Sequence, residues 1–172
     1  MGLDREDNGM CWTTIKSQED ANHLNDIFWA FHDSVLKEIC FDVGYCVEKD
    51  LNFKLKDIPF YQSDLNMKYA DVPISRFLFQ RIYKDPSVIE MEFRDVIHIN
   101  IQPKDISCIL QARLYFQNGI FYWSSFDCPY DHPEKNVHTW ITAKEVSWRV
   151  RDDLIGDKKI YVEANICDSP SQ

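Results

Sequence analysis

The sequence predicts an α+β domain that is mainly antiparallel β, either a sandwich or a strongly curved sheet, with one N-terminal helix. Three observations carry this. Apolar residues recur at helical spacing in one segment, from Ala21 to Phe31. After it, apolar and polar residues alternate at period two in a succession of short runs, the pattern of half-buried strands. The links between runs are short, which implies antiparallel neighbours, and each run has one apolar face, which implies a sheet covered on one side or two sheets face to face.

The elements follow in order. Residues 1–11 read as a frayed end. Ser17 can cap a helix, with Asp20 at the capping-box distance. Ala21, Leu24, Ile27, Phe28 and Phe31 form its apolar face, so the helix is expected to end near Phe31. Ile39, Phe41, Val43, Tyr45 and Val47 then alternate with polar or small residues as one strand, and Leu51, Phe53 and Leu55 read as its hairpin partner across a turn at 48–50. Leu65, Met67 and Tyr69 make a third short run. Residues 73–83 fit strand better than helix. Ile89, Met91 and Phe93 alternate with Glu90, Glu92 and Arg94, and the phase is expected to continue through Ile97, Ile99 and Ile101. Leu110, Ala112, Leu114 and Phe116 lead into Asn118-Gly119, a strong hairpin signal, with the return strand over 120–126. Residues 127–138 read as a charged loop with two prolines. Val146, Trp148 and Val150 alternate, residues 152–159 turn the chain, and Ile160, Val162 and Ala164 return. The tail 168–172 reads as loose. With no repeat and no low-complexity linker, residues 1–172 are expected to form a single domain.

Composition narrows the function classes. A chain of 172 residues suits one domain with a core that needs no metal or disulfide staple. The net charge of −9 repels phosphate, which argues against nucleic acid and suits a basic protein partner. No apolar run is long enough to span a membrane, and the acidic, polar opening "MGLDREDNGM" is the opposite of a signal peptide. Glu6 breaks the myristoylation pattern that Met-Gly begins. Six cysteines with no CxxC are expected to be reduced thiols in a cytoplasm, with no disulfide framework.

Four constellations could carry chemistry. His32-Asp33-Ser34 offers an imidazole, a carboxylate and a hydroxyl. Adjacent side chains rarely face one another, so a polar corner between helix and strand, tied down by Asp33 or Ser34, is the simpler reading. Cys128, His132 and His138, flanked by Asp127 and Asp131, offer soft and borderline metal ligands, or else a charged surface loop. Asp95 and Lys37 interrupt apolar faces. A bulge or corner at "FRDV" accounts for Asp95 better than a buried pair with Lys37, and a polar floor in an apolar cavity is the functional alternative. Phe121, Tyr122 and Trp123 put rings on both faces of one strand, which marks a central strand or a partner patch. Binding candidates are therefore His32, Asp33, Asp95, Trp123 and Trp148, and the metal candidates are Cys128, His132 and His138. No GxGxxG, P-loop, GxSxG or HExxH occurs, so no cofactor and no catalytic residue is assigned.

The segment "FWAFHDSVLKEICF" at 28–41, with "VIEMEFRDVIHINI" and "AKEVSWRV" in looser likeness, resembles small bacterial β-rich families. Some of these are similar to immunity proteins of polymorphic toxin systems. The resemblance implies a small acidic cytoplasmic protein that neutralises a toxin by binding it, and it carries over no catalytic residue. The expected function is that of a non-enzymatic interaction protein. The alternatives are a small-ligand-binding β-barrel and a metal-dependent enzyme using the 127–138 loop.

Overall fold

The computed structural model describes residues 11–43, 45–47, 67–69, 72–81, 85–127 and 137–156. The elements are β1 (Thr13–Ile15), α1 (Gln18–Ile27), β2 (Ser34–Asp42), β3 (Tyr45–Val47), β4 (Met67–Tyr69), β5 (Ile74–Arg81), β6 (Val88–Asn100), β7 (Arg113–Gln117), β8 (Ile120–Ser124) and β9 (Trp140–Val150). Seven strands form one open, curved antiparallel sheet, six of them in the order β2-β5-β6-β9-β8-β7 and the seventh, β1, off this path. β1 also joins β9, along its second half (Ile15 opposite Val146), while β8 takes the first half (Trp123 opposite Ile141). β3 and β4 make a separate two-stranded pair. The expected hairpin partner at 51–55 and the return strand at 160–164 lie outside the described residues. The described neighbour of β2 is β5.

Helix α1 starts where Ser17 predicts. The Asp20 N–H donates to Ser17 Oγ at 3.1 Å, and the Lys16 N–H donates to the Asp20 carboxylate at 2.8 Å. That second bond holds the Asp20 carboxyl below its ordinary value. The helix ends at Ile27, a turn earlier than its apolar face suggests. Ala21, Leu24 and Phe28 are fully buried against the sheet. Two polar residues of α1 complete edge strand β7. Asn25 donates to the Leu114 carbonyl and accepts from the Leu114 N–H, both at 3.0 Å, and Gln18 accepts the Phe116 N–H at 2.7 Å. Side-chain amides thus stand where another strand's backbone would, and they blunt the edge.

The core lies between one face of the sheet and α1 with the segments that follow it. Phe77, Phe79, Ile89, Met91, Phe93, Trp123, Ile141 and Val146 point into it. Beyond Asp95 the expected phase fails. Val96, not Ile97, packs on the core, and Ile97 is exposed. The cause is backbone geometry. Asp95 takes a φ of 53°, and the register with β9 shifts between Val96 and His98, which returns Ile99 and Ile101 to the core. Asp95 thereby leaves the apolar face and meets Lys144 at 2.6 Å, on the surface. A register shift between Leu36 and Glu38 does the same for Lys37, whose Nζ donates to the Gly156 carbonyl. Both interrupting charges therefore sit at irregularities, and neither pairs with the other. β2 also departs from expectation at its far end, because it stops at Asp42, short of the expected run to Val47, and Phe41 and the following Val43 are exposed.

The second face of the sheet carries charge. Glu90 and Glu92 are buried there, and each is paired. Arg149 approaches Glu90 at 2.6 Å and Arg151 at 3.3 Å, while Arg76 holds Glu92 at 2.8 Å. Such pairing is what permits a buried carboxylate. Hydrogen bonds to Asp153 raise the Arg151 guanidinium further above its ordinary value. Arg81 is buried as well. Desolvation lowers its guanidinium, against the pull of Asp152 and Asp85, and it spans the Ile27 and Pro86 carbonyls over the Phe28 ring.

The Asn118-Gly119 hairpin forms as the alternation predicts, with φ values of 52° and 76° and Leu114 opposite Trp123. The 73–83 segment is strand β5 over its described part. Among the described cysteines, Cys11, Cys40 and Cys108 are free thiols. No helix among the described residues is long and apolar enough to cross a membrane.

Candidate functional site

The corner between α1 and β2 is where the polypeptide is least ordinary. Trp29, Ala30 and Phe31 have φ of 49°, 48° and 58°, and Asp33 follows at 57°. Left-handed backbone costs an ordinary residue about 1–2 kcal/mol, and it is usually visited singly. Burial of Phe31 accounts for it here. Its fully buried ring lies 4.9 Å from Phe79, 5.4 Å from Phe28 and 5.8 Å from Trp123. Ser34, also buried, donates through Oγ to the Phe31 carbonyl at 2.5 Å, and the Ala112 N–H donates to the Ala30 carbonyl at 2.8 Å. Ser34 rather than Asp33 ties the corner. With Phe31 drawn inward, Trp29 stands half exposed with its ring 4.7 Å from that of His32.

Two open clefts flank His32. One, of about 610 Å³, has Asn22, Asp26, Trp29 and Arg113 on its walls. The other, of about 550 Å³, has Lys104, Asp105, Ser125, Phe126 and His138. His32 and Gln111 line both, so the two form one groove. Its far wall is fastened to β2, because the Leu36 N–H donates to the Ile106 carbonyl and the Ile109 N–H to the Ser34 carbonyl. Asp127 organises one side. It accepts from the Tyr115 hydroxyl through a short bond and from Gln111 at 3.0 Å, and Arg113 Nε lies 3.4 Å away. At the other side His138 Nδ1 is 3.1 Å from Asp105, and the ring stacks on Phe126 at 4.8 Å. Large apolar side chains are exposed along this groove, where Trp29, Leu110 and Phe126 line it.

The sequence candidates scatter. His32 and His138 share the groove. Asp33 is exposed at its edge, with its carboxylate 3.1 Å from His32 Nδ1. Asp95 sits at the sheet bend with Lys144 and does not line the groove. Trp123 is fully buried among Phe31, Phe77 and Phe79, which makes it a core residue, and Trp148, partly buried, packs on the core away from the groove lining. Cys128 and His132 lie outside the described residues. Among the described residues no three His, Cys, Asp or Glu side chains gather as a metal set. Arg113, Gln111, Asp105 and Ser125 were not singled out by sequence, and Asp127 was read only as a flank of the metal candidates. One signal was available: extending the Asn118-Gly119 hairpin puts Arg113 opposite Ser124, and so beside the loop that opens at Ser125.

No protein-family model, no curated protein and no solved structure matches this chain.

Proposed function

We propose that this is a non-enzymatic binding protein whose partner docks over the groove around His32. The observation that carries the reading is that exposed Trp29, Leu110 and Phe126 all line this groove, in a chain of charge −9. Exposed aromatic and aliphatic anchors around a polar-edged groove are the composition of an interface centre. The occupant is a basic protein, because the chain's charge of −9 would steer one and repel acidic competitors. The open sheet and the open clefts favour this over a ligand-carrying barrel, which needs an enclosed apolar cavity. The immunity-type resemblance makes the finer reading a cytoplasmic protein whose partner is a toxin.

The test uses the purified product of the neighbouring gene, the candidate that this finer reading singles out. It should bind with an affinity that falls as salt rises. Trp29→Ala and Phe126→Ala should each weaken binding about tenfold or more while the melting temperature stays put. Binding indifferent to both substitutions would put the interface elsewhere. Absence of binding, with growth not rescued on co-expression, would end the immunity-type reading.

A further inference from the structure

Buried donors and acceptors in folded proteins are almost all paired, so each exception asks for a partner. Among the described residues five buried side-chain polar atoms have no hydrogen-bond partner: Arg81 Nη1, Trp123 Nε1, His32 Nδ1, Arg113 Nε and Ser125 Oγ. The first two belong to side chains packed against aromatic rings. The Arg81 guanidinium lies 4.2 Å over Phe28, and the Trp123 ring stands perpendicular to that of Phe77 at 5.7 Å. Ring faces serve such groups as weak acceptors. The other three all line the groove. Ser125 is the cleanest case, a residue only 7% exposed whose hydroxyl meets no acceptor. His32 Nδ1 and Arg113 Nε do lie 3.1 and 3.4 Å from Asp33 and Asp127, but without the alignment of a hydrogen bond. These are contacts of charge rather than satisfied donors.

We infer that the groove floor is a binding site for the anionic head of a small organic acid, a carboxylate or a phosphate on an apolar body. Arg113 in the first cleft, Ser125 in the second and His32 in both offer N–H and O–H groups, and an oxyanion is the ligand made only of acceptors. The lining itself bears two formal cations, Lys104 and Arg113, against two acids, Asp26 and Asp105, while Asp33 and Asp127 stand beside His32 and Arg113, in a chain of charge −9. Of the two acids, Asp105 is already held by His138. Trp29, Leu110 and Phe126 offer apolar surface for the ligand's body. The site concerns the floor of the groove, and it stands whether or not a protein docks on the rim.

The experiment titrates the whole protein with phenyl phosphate, benzoate and neutral phenol at fixed ionic strength, read by calorimetry and tryptophan fluorescence. Saturable binding of one or both anions is expected, with phenol silent. The tighter of the two anions identifies the head group. Arg113→Gln and Ser125→Ala should each weaken it about tenfold. Lys144→Gln, which removes one positive charge at Asp95 instead, should leave it unchanged. Where Arg113→Gln disturbs folding through Asp127, Arg113→Lys and Ser125→Ala decide. No saturable binding up to about 10 mM overturns the inference. So does equal binding of phenol, or an affinity indifferent to Ser125→Ala and to Arg113→Lys.

Discussion

At 118–119 and again at 29–33 the chain turns through left-handed backbone, and the two corners are built in opposite ways. The hairpin uses Asn-Gly, residues that adopt positive φ at little cost, and a Cβ added at Gly119 would meet nothing within 4 Å. The α1–β2 corner uses Trp, Ala, Phe and Asp. Of these only Asp is at home there. What holds the second corner is not local. It is the buried Phe31 ring, the Ser34 hydroxyl bond and a backbone bond from Ala112, more than eighty residues away in sequence. The hairpin would form from its own residues, whereas the corner forms only once the core is assembled. It is also the corner, not the hairpin, that presents side chains to a groove, consistent with strain being tolerated where the surrounding structure over-determines it.

The contrast can be broken most forcefully at Phe31. Phe31→Ala should destabilise the protein by about 3–5 kcal/mol in denaturant unfolding, the size of a lost core aromatic. It should also release Trp29, read as a change in tryptophan emission before global unfolding. A small loss with unchanged emission would mean that the corner holds itself.

A smaller effect is expected at the hairpin. Gly119→Val should cost about 1–2 kcal/mol through φ alone, since no clash awaits the side chain. An unchanged melting temperature would show that the turn relaxes to another type, and the hairpin would then be less locally determined than its Asn-Gly pair implies.

The smallest change should have the unusual sign. Ala30→Gly relieves a left-handed alanine, so it should stabilise by about 0.5 kcal/mol, net of glycine's greater unfolded entropy. Destabilisation in thermal melts would mean that Ala30 carries packing that its φ conceals.

Where the sequence was legible, the reason is that the information was local. The N-cap at Ser17, the strands 74–81, 88–94 and 146–150, and the turn at 118–119 each follow from spacing or from residue chemistry within a few positions. The polar corner at 32–34 was legible in the same way, as a change of period. The antiparallel class followed from the short links between runs. What the sequence did not show is non-local. The phase slip past Asp95, the bulge at Lys37 and the early end of α1 are settled by which neighbours a residue meets, since a bulge or a left-handed turn is stable only against a particular partner strand or ring. The groove belongs to the same category. Its side chains come from 22–32, 104–113 and 125–138, and no spacing rule links them. Alternation can say that a residue faces solvent, but only the curvature of the sheet and the docking of residues 104–112 beside β2 decide which exposed residues face one another.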